Sequence, residues 1–109
     1  MLKTIKKMLG MSLGDEIVGS ISTFAGNYAP MCYMNCDGRL LEIHSNPTLF
    51  SIIGTTYGGD NKTTFALPDL RPFSKDGQSD TGYHRRVDWS ELSMPRQIIC
   101  VAGSYPTRP

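Results

Sequence analysis

Three cysteines, two histidines and a handful of carboxylates are the groups in this chain whose types could do chemistry. Cys32, Cys36 and Cys100 cannot all pair within one chain, so at least one thiol stays free or bonds a neighbour. Cys32 and Cys36 are separated by three residues, not the two of a zinc knuckle or redox motif, and no second Cys or His pair completes a tetrahedral site. Cys36 and Cys100 sit among apolar neighbours and read as small buried hydrophobes. His44 precedes Ser45, but chain neighbours usually point apart, so adjacency alone makes no nucleophile–base pair. His84-Arg85-Arg86 is basic, yet such a run is more often a solvated face than a phosphate clamp. Asp37, Asp60 and Asp69 lack the alternating ligands of a calcium loop, and Gly58-Gly59 lacks the ending of a phosphate loop. Tyr28, Tyr33, Tyr57, Tyr83, Tyr105 and Trp89 are spread widely, as core and rim packing or as a sugar-stacking surface. No catalytic residue, metal ligand or cofactor site is expected.

The elements that must position these residues are short. In residues 1–10, Leu2, Ile5, Met8 and Leu9 fall on one helical face with Lys3, Lys6 and Lys7 opposite. The segment lacks the apolar core and cleavage site of a signal peptide. A helix this short is marginal alone, which makes it a candidate docking element. Asp15–Phe24 alternates imperfectly, with Ile17, Gly19 and Ile21 on one face, and predicts a strand with a bulge or close approach at Gly19. Met31–Met34 and Arg39–Ile43 flank Asp37-Gly38, the dipeptide of a tight reversal. Asn46-Pro47 opens a helix that runs to Gly54 with Leu49, Phe50, Ile52 and Ile53 as its apolar face. Gly58–Asn61 demands a loop, anchored by Phe65, Leu67 and Leu70. Residues 72–92 are polar and irregular, and the run Gln97–Ala102 suits a strand buried on both faces. Leu49, Phe50, Ile53, Phe65 and Leu67 are the expected central core.

With 109 residues there is room for one domain. Lys+Arg 11 against Asp+Glu 10 leaves a formal charge of +1, no electrostatic footprint for nucleic acid and no polybasic face for a membrane. Apolar runs are too short to span a bilayer. The residues alone predict a small α+β domain, mainly strand and loop, that binds rather than catalyses.

One stretch carries more. GSISTFAGNYAPMCYMNCDGRLLEIHSNPTLFSIIGTTYGGDNKTTFALPDLR, Gly19 to Arg71, resembles the phage tail collar domain family, in the branch that includes the so-called microcystin-dependent proteins. The segment LFSIIGTTYGGD with TTFALPDLR is the most specific part. A weaker likeness covers ICVAGSYPTRP, Ile99 to Pro109, which is similar to the family's ending. The resemblance implies a division into residues 1–18 as an N-terminal extension and 19–109 as a collar-like domain. Within that domain, 72–96 would be a shortened variable insertion and 97–109 the last strand and tail. It places Cys36 and Cys100 at family cysteine positions, which favours a packed role for both. Cys32-Tyr33 stands where the family has Gly-Trp, so Cys32 is this chain's own addition. The family's paired histidines after Arg71 are missing, so no metal is carried over.

What the resemblance implies is a virion component of a tailed bacteriophage or phage-like particle, made in the bacterial cytoplasm. It would be a tail, collar, neck, fibre or baseplate building block that meets other virion proteins and copies of itself, as a trimer or higher oligomer. The alternative is a fibre tip that binds a carbohydrate receptor on the host surface. Shortening of the distal insertion favours the structural role. Cys32, expected near the surface in the turn after Pro30, is the candidate for an intermolecular disulfide, with an intrachain Cys32–Cys36 bridge and a free thiol as the other possibilities.

Overall fold

The computed structural model describes residues 16–74 and 85–106. Among them are one α-helix, one short 3-10 helix and five strands in two antiparallel sheets, the rest being loop and turn, consistent with a small α+β domain. The strands are β1 (Ile21–Phe24), β2 (Tyr33–Asn35), β3 (Leu40–Glu42), β4 (Thr64–Ala66) and β5 (Arg96–Cys100), with the helix α1 at Pro47–Ile53. β5 is the middle of a three-stranded sheet ordered β1-β5-β2, pairing Ile21 with Ile99 on one side and Met34 with Ile99 on the other. β3 and β4 form a separate ribbon with Leu41 opposite Phe65.

The hydrophobic pattern explains the placement of β5. Arg96, Ile98 and Cys100 share one face by strand parity, Gln97 and Ile99 the other, and all but Gln97 are buried. Ile99 joins Val18, Cys36, Leu49, Phe65 and Leu67 in the core, with α1 laid over it. The strand begins one residue earlier than the apolar run and stops at Cys100, so Val101 lies outside it.

Helix α1 is one residue shorter at each end than the reading from Asn46 to Gly54. Asn46 occupies the N-cap position without a side-chain cap bond; its Nδ2 instead donates to Glu42 O at 3.1 Å. Gly54, at φ 56°, ends the helix and donates its N–H to Phe50 O at 2.8 Å. An L side chain rarely adopts that conformation, so the glycine is what lets the chain leave.

Two expectations need correction. The strand drawn from Asp15 is broken by a turn: Ser20 N–H returns to Ile17 O at 3.1 Å, and Gly19 sits at φ 92° against Ile52. The alternation therefore fails, leaving Ile17 and Ile21 exposed while Val18 is buried. Asp37-Gly38 also makes no hairpin, because β2 pairs with β5 and β3 with β4. The described end of the polar stretch before β5, residues 85–92, is more regular than its composition suggested. Asp88 caps a short 3-10 helix, Trp89–Leu92, by accepting from Ser90 N–H, and Val87 and Trp89 are buried. The docking candidates Leu2, Ile5, Met8 and Leu9 lie outside the described residues, as do residues 75–84 of the expected insertion.

Candidate functional site

The residues singled out by the sequence separate into a packed centre and a set of acidic turns. Leu49, Phe65, Leu67 and Cys36 are fully buried together. Phe50 and Ile53 are only partly buried and pack against that cluster from its side; the Phe50 and Phe65 rings meet edge to face at 5.4 Å. The reason is helical geometry: one face of a two-turn helix turns only Leu49 fully inward. Cys100 is buried outside that cluster, its Sγ–H directed at Ala102 O at 3.3 Å. Burial pushes the Cys36 thiol up to about 11 and raises that of Cys100, so neither is a ready nucleophile. Cys32 is half-buried, outside any disulfide, and held at φ 70°, in the region that favours glycine.

Asp37, Asp60 and Asp69 are each engaged by their own turns. Asp37 accepts from Arg39 Nε at 3.0 Å and Nη2 at 2.8 Å, and from the Arg39 backbone N–H at 3.3 Å. Asp69 repeats the pattern with Arg71, at 3.0, 2.9 and 3.2 Å. Two Asp-x-Arg clasps thus lie side by side, joined by an antiparallel bridge between Asp37 and Asp69. Arg86 adds a third guanidinium: Nη1 donates to Arg71 O at 2.6 Å, Nε stands 3.8 Å from Asp69, and the plane covers the Phe73 ring at 4.4 Å. Hydrogen bonds from Arg39 hold the Asp37 carboxyl below the usual range, and those from Arg71 do the same for Asp69.

Asp60 shows the same economy in the loop between α1 and β4. Its Oδ1 accepts from the backbone N–H groups of Lys62, Thr63 and Thr64 at 2.8, 2.8 and 2.9 Å, and Oδ2 from Thr63 Oγ1 at 2.9 Å. These bonds hold the carboxyl far below its ordinary pKa. A carboxylate so committed to its own loop organises the backbone. Among the described residues no three His, Cys, Asp or Glu side chains converge as a metal cage.

His44 behaves differently from the expectation of adjacency. Its Nδ1 lies 3.2 Å from Glu42 Oε2 and its Nε2 3.4 Å from Ser45 Oγ, so carboxylate, imidazole and hydroxyl do stand in series. The His44 and Glu42 side chains are 78% and 64% exposed, and water competes for every one of these bonds. Without a desolvated setting the series does not make an activated nucleophile.

Sequence reasoning missed a second buried group behind β5. Arg96 is buried, donates from Nε to Gly26 O at 2.8 Å and from Nη1 to Asn35 Oδ1 at 3.1 Å, and lies 5.6 Å from the Trp89 ring centre. The lone tryptophan beside the capping pair Asp88 and Ser90 was the signal that could have found it.

This geometry has a counterpart among known families. The family model of the phage tail collar domain matches residues 19–73, just over half of the chain. The chain belongs to the phage tail collar domain family. The collar match takes in β1 to β4, α1, the Asp60 loop and both Asp-x-Arg clasps, while β5, the central strand of the larger sheet, comes from beyond it. No curated protein matches the chain. No helix among the described residues is long and apolar enough to cross a membrane.

Proposed function

We propose that this collar-domain chain is a structural building block of a phage tail or phage-like particle, acting by protein–protein assembly in the neck, collar, fibre or baseplate. One observation carries the reading beyond the family match. The three aspartates of the matched segment, Asp37, Asp60 and Asp69, are each committed to the chain's own turns, and its apolar residues Cys36, Leu49, Phe65 and Leu67 fill the core. What the signature specifies is a shape. The partners are then other virion proteins and copies of the chain itself, and the location is the virion. Residues 1–10, with the apolar stripe of Leu2, Ile5, Met8 and Leu9, are the segment we assign to partner docking. Cys32 is the thiol assigned to an intermolecular disulfide, since Cys36 and Cys100 are fully buried.

The test is the composition of purified particles. Mass spectrometry should find the chain at a fixed ratio to the major tail protein, and gold-labelled antibody should mark the tail. Particles of full infectivity that lack the chain would overturn the proposal.

A further inference from the structure

We infer that the fold places Cys32 and Cys100 as a thiol pair that a small-molecule disulfide oxidises to an intrachain bridge, fastening the turn after Pro30 to the end of β5. The inference stands on strand register and does not depend on the particle assignment.

Register decides which thiols can meet. β2 pairs with β5 so that Tyr33 lies opposite Cys100 and Asn35 opposite Ile98. The ladder continues past both ends of β2: Val101 N–H donates to Cys32 O at 2.9 Å, and Cys36 N–H donates to Gln97 O at 3.0 Å. Cys32 is therefore one ladder step from Cys100. With strands about 5 Å apart and a rise of about 3.3 Å per residue, their Cα atoms stand about 6 Å apart, within the span of a disulfide. Cys36 is out of reach of both. The extended residues of β2 separate it from Cys32 by about 13 Å, and three ladder steps separate it from Cys100 by about 11 Å. The Cys32–Cys36 bridge that the sequence left open is excluded by the strand between them.

Register alone is not enough, because ladder neighbours one step apart point to opposite faces. Cys32 escapes that rule. Its φ of 70° takes it out of the extended conformation, and Tyr33 N–H closes the turn on Pro30 O at 3.0 Å, so the Cys32 side chain leaves the strand alternation. The electrostatics agree. Burial is the chief cause of the raised Cys100 thiol pKa, and charges on Glu16 and Cys32 push it the same way. The Tyr33 hydroxyl is raised as well, by burial first and then by charge on Cys100, Glu16 and Cys32.

The two thiols differ in the way a stepwise oxidation needs. Cys32 is half-buried and Cys100 fully buried, so Cys32 meets the reagent first. Its thiolate attacks one sulfur of glutathione disulfide, forming a mixed disulfide and expelling one glutathione thiolate. Cys100 then gives its proton to solvent and attacks the Cys32 sulfur, and the second glutathione leaves. Two protein thiols are oxidised, and one glutathione disulfide is reduced to two thiols. In dilute solution Cys100 is at a far higher effective concentration than any neighbour's thiol. The intermolecular link assigned above is the alternative oxidised state of Cys32, open to it only where assembly holds another subunit as close.

Oxidation of the reduced full chain with glutathione disulfide, at low protein concentration, tests this. The oxidised chain should titrate one thiol after denaturation in place of three, and run as a monomer on non-reducing electrophoresis. Cleavage after Tyr33 separates Cys32 from Cys36, so peptide mapping by mass spectrometry should recover a Cys32–Cys100 pair. Cys36→Ala should form the bridge as the parent does, while Cys32→Ser should keep both remaining thiols. Circular dichroism verifies that each variant is folded, and the mapping of the parent decides by itself where one is not. A glutathione adduct on Cys32 that never resolves, a Cys32–Cys32 dimer, or a bridge that includes Cys36 would overturn the inference while leaving the particle assignment to its own test.

Discussion

Asp69 stands over Gly38: a Cβ on residue 38 would come 3.1 Å from both Cβ and Oδ2 of Asp69. The absence of a side chain at one turn is what lets the other turn's clasp lie beside it. Gly38 is at φ 80°, so the position needs glycine twice over, for its backbone and for its neighbour. The Cys-Asp-Gly and Pro-Asp-Leu-Arg segments, more than thirty residues apart in the chain, are therefore halves of one device.

Acid should open this device. Asp37 and Asp69 have carboxyl pKa values lowered in the folded chain, chiefly by hydrogen bonds from Arg39 and Arg71. A lowered folded pKa means that the stabilisation is fully present above the ordinary carboxylate value of about 3.9 and is lost as pH falls through the folded value. Asp60 and Asp88 shift in the same direction. Melting temperature should be flat from neutrality to about pH 5 and fall below about pH 4. Asp69→Asn should lower the plateau and flatten the acid limb, and an unchanged acid limb in that variant would refute the role given to the clasp.

The glycines of the loop after α1 differ in what they exclude. At Gly59, φ 104°, a Cβ would overlap Phe65 Cα and crowd Thr64 O, both backbone atoms that cannot swing aside. At Gly54, φ 56°, nothing lies within 4 Å of the added atom. Gly54→Ala should thus carry only backbone strain, about 1–3 kcal/mol, while Gly59→Ala adds a steric clash and should exceed it. Urea unfolding of the two variants gives the order directly; equal midpoints would mean that the loop relaxes around residue 59.

A similar contrast separates the two phenylalanines of the centre. Phe65 is fully buried in the cluster, whereas Phe50 packs against it with part of its ring open. Phe65→Ala should destabilise by about 3–5 kcal/mol, most of a small domain's stability. Phe50→Ala leaves a smaller void and should lose less. Denaturant midpoints that reverse this order would place the core on the wrong side of α1.

The pattern of success from sequence follows from the range of the forces involved. Helix α1 was legible because its signals, Asn46-Pro47 before and Gly54 after, act within one turn of the chain. β5 was legible from Ile98-Ile99-Cys100, because burial on both faces leaves consecutive apolar residues, whereas Arg96 and Gln97 carry no such mark. Strand partners were not: nothing local in Tyr33–Asn35 says that it joins a strand more than sixty residues later, and Asp37-Gly38 gives a hairpin signal that the sheet overrides. The clasps were invisible for the same reason, since a carboxylate two residues before an arginine is common and only the fold brings two such pairs together. Ser45 and His44 point toward each other despite adjacency, because both lie in the turn between β3 and α1 and not on a regular strand.

Cys32 allows a test of how well the backbone reading holds. Its φ of 70° belongs to the left-handed region, where a non-glycine residue costs about 1–2 kcal/mol. The resemblance to the collar family sets glycine at that position, and the conformation supplies the physical reason. Cys32→Gly removes the strain but frees the unfolded chain by about 0.5–1 kcal/mol, so the net gain in stability should be small and positive. The same variant reports on the thiols. Burial holds the Cys36 thiol at about 11 and raises that of Cys100, which leaves Cys32 as the one residue of the three open to a reagent at pH 8. Native reduced protein should therefore react rapidly with one equivalent of a chromogenic disulfide reagent and with three after denaturation. Cys32→Gly should abolish the rapid equivalent while raising the urea midpoint. A fast thiol that survives the substitution, or a midpoint that falls, would show that the turn after Pro30 is built differently.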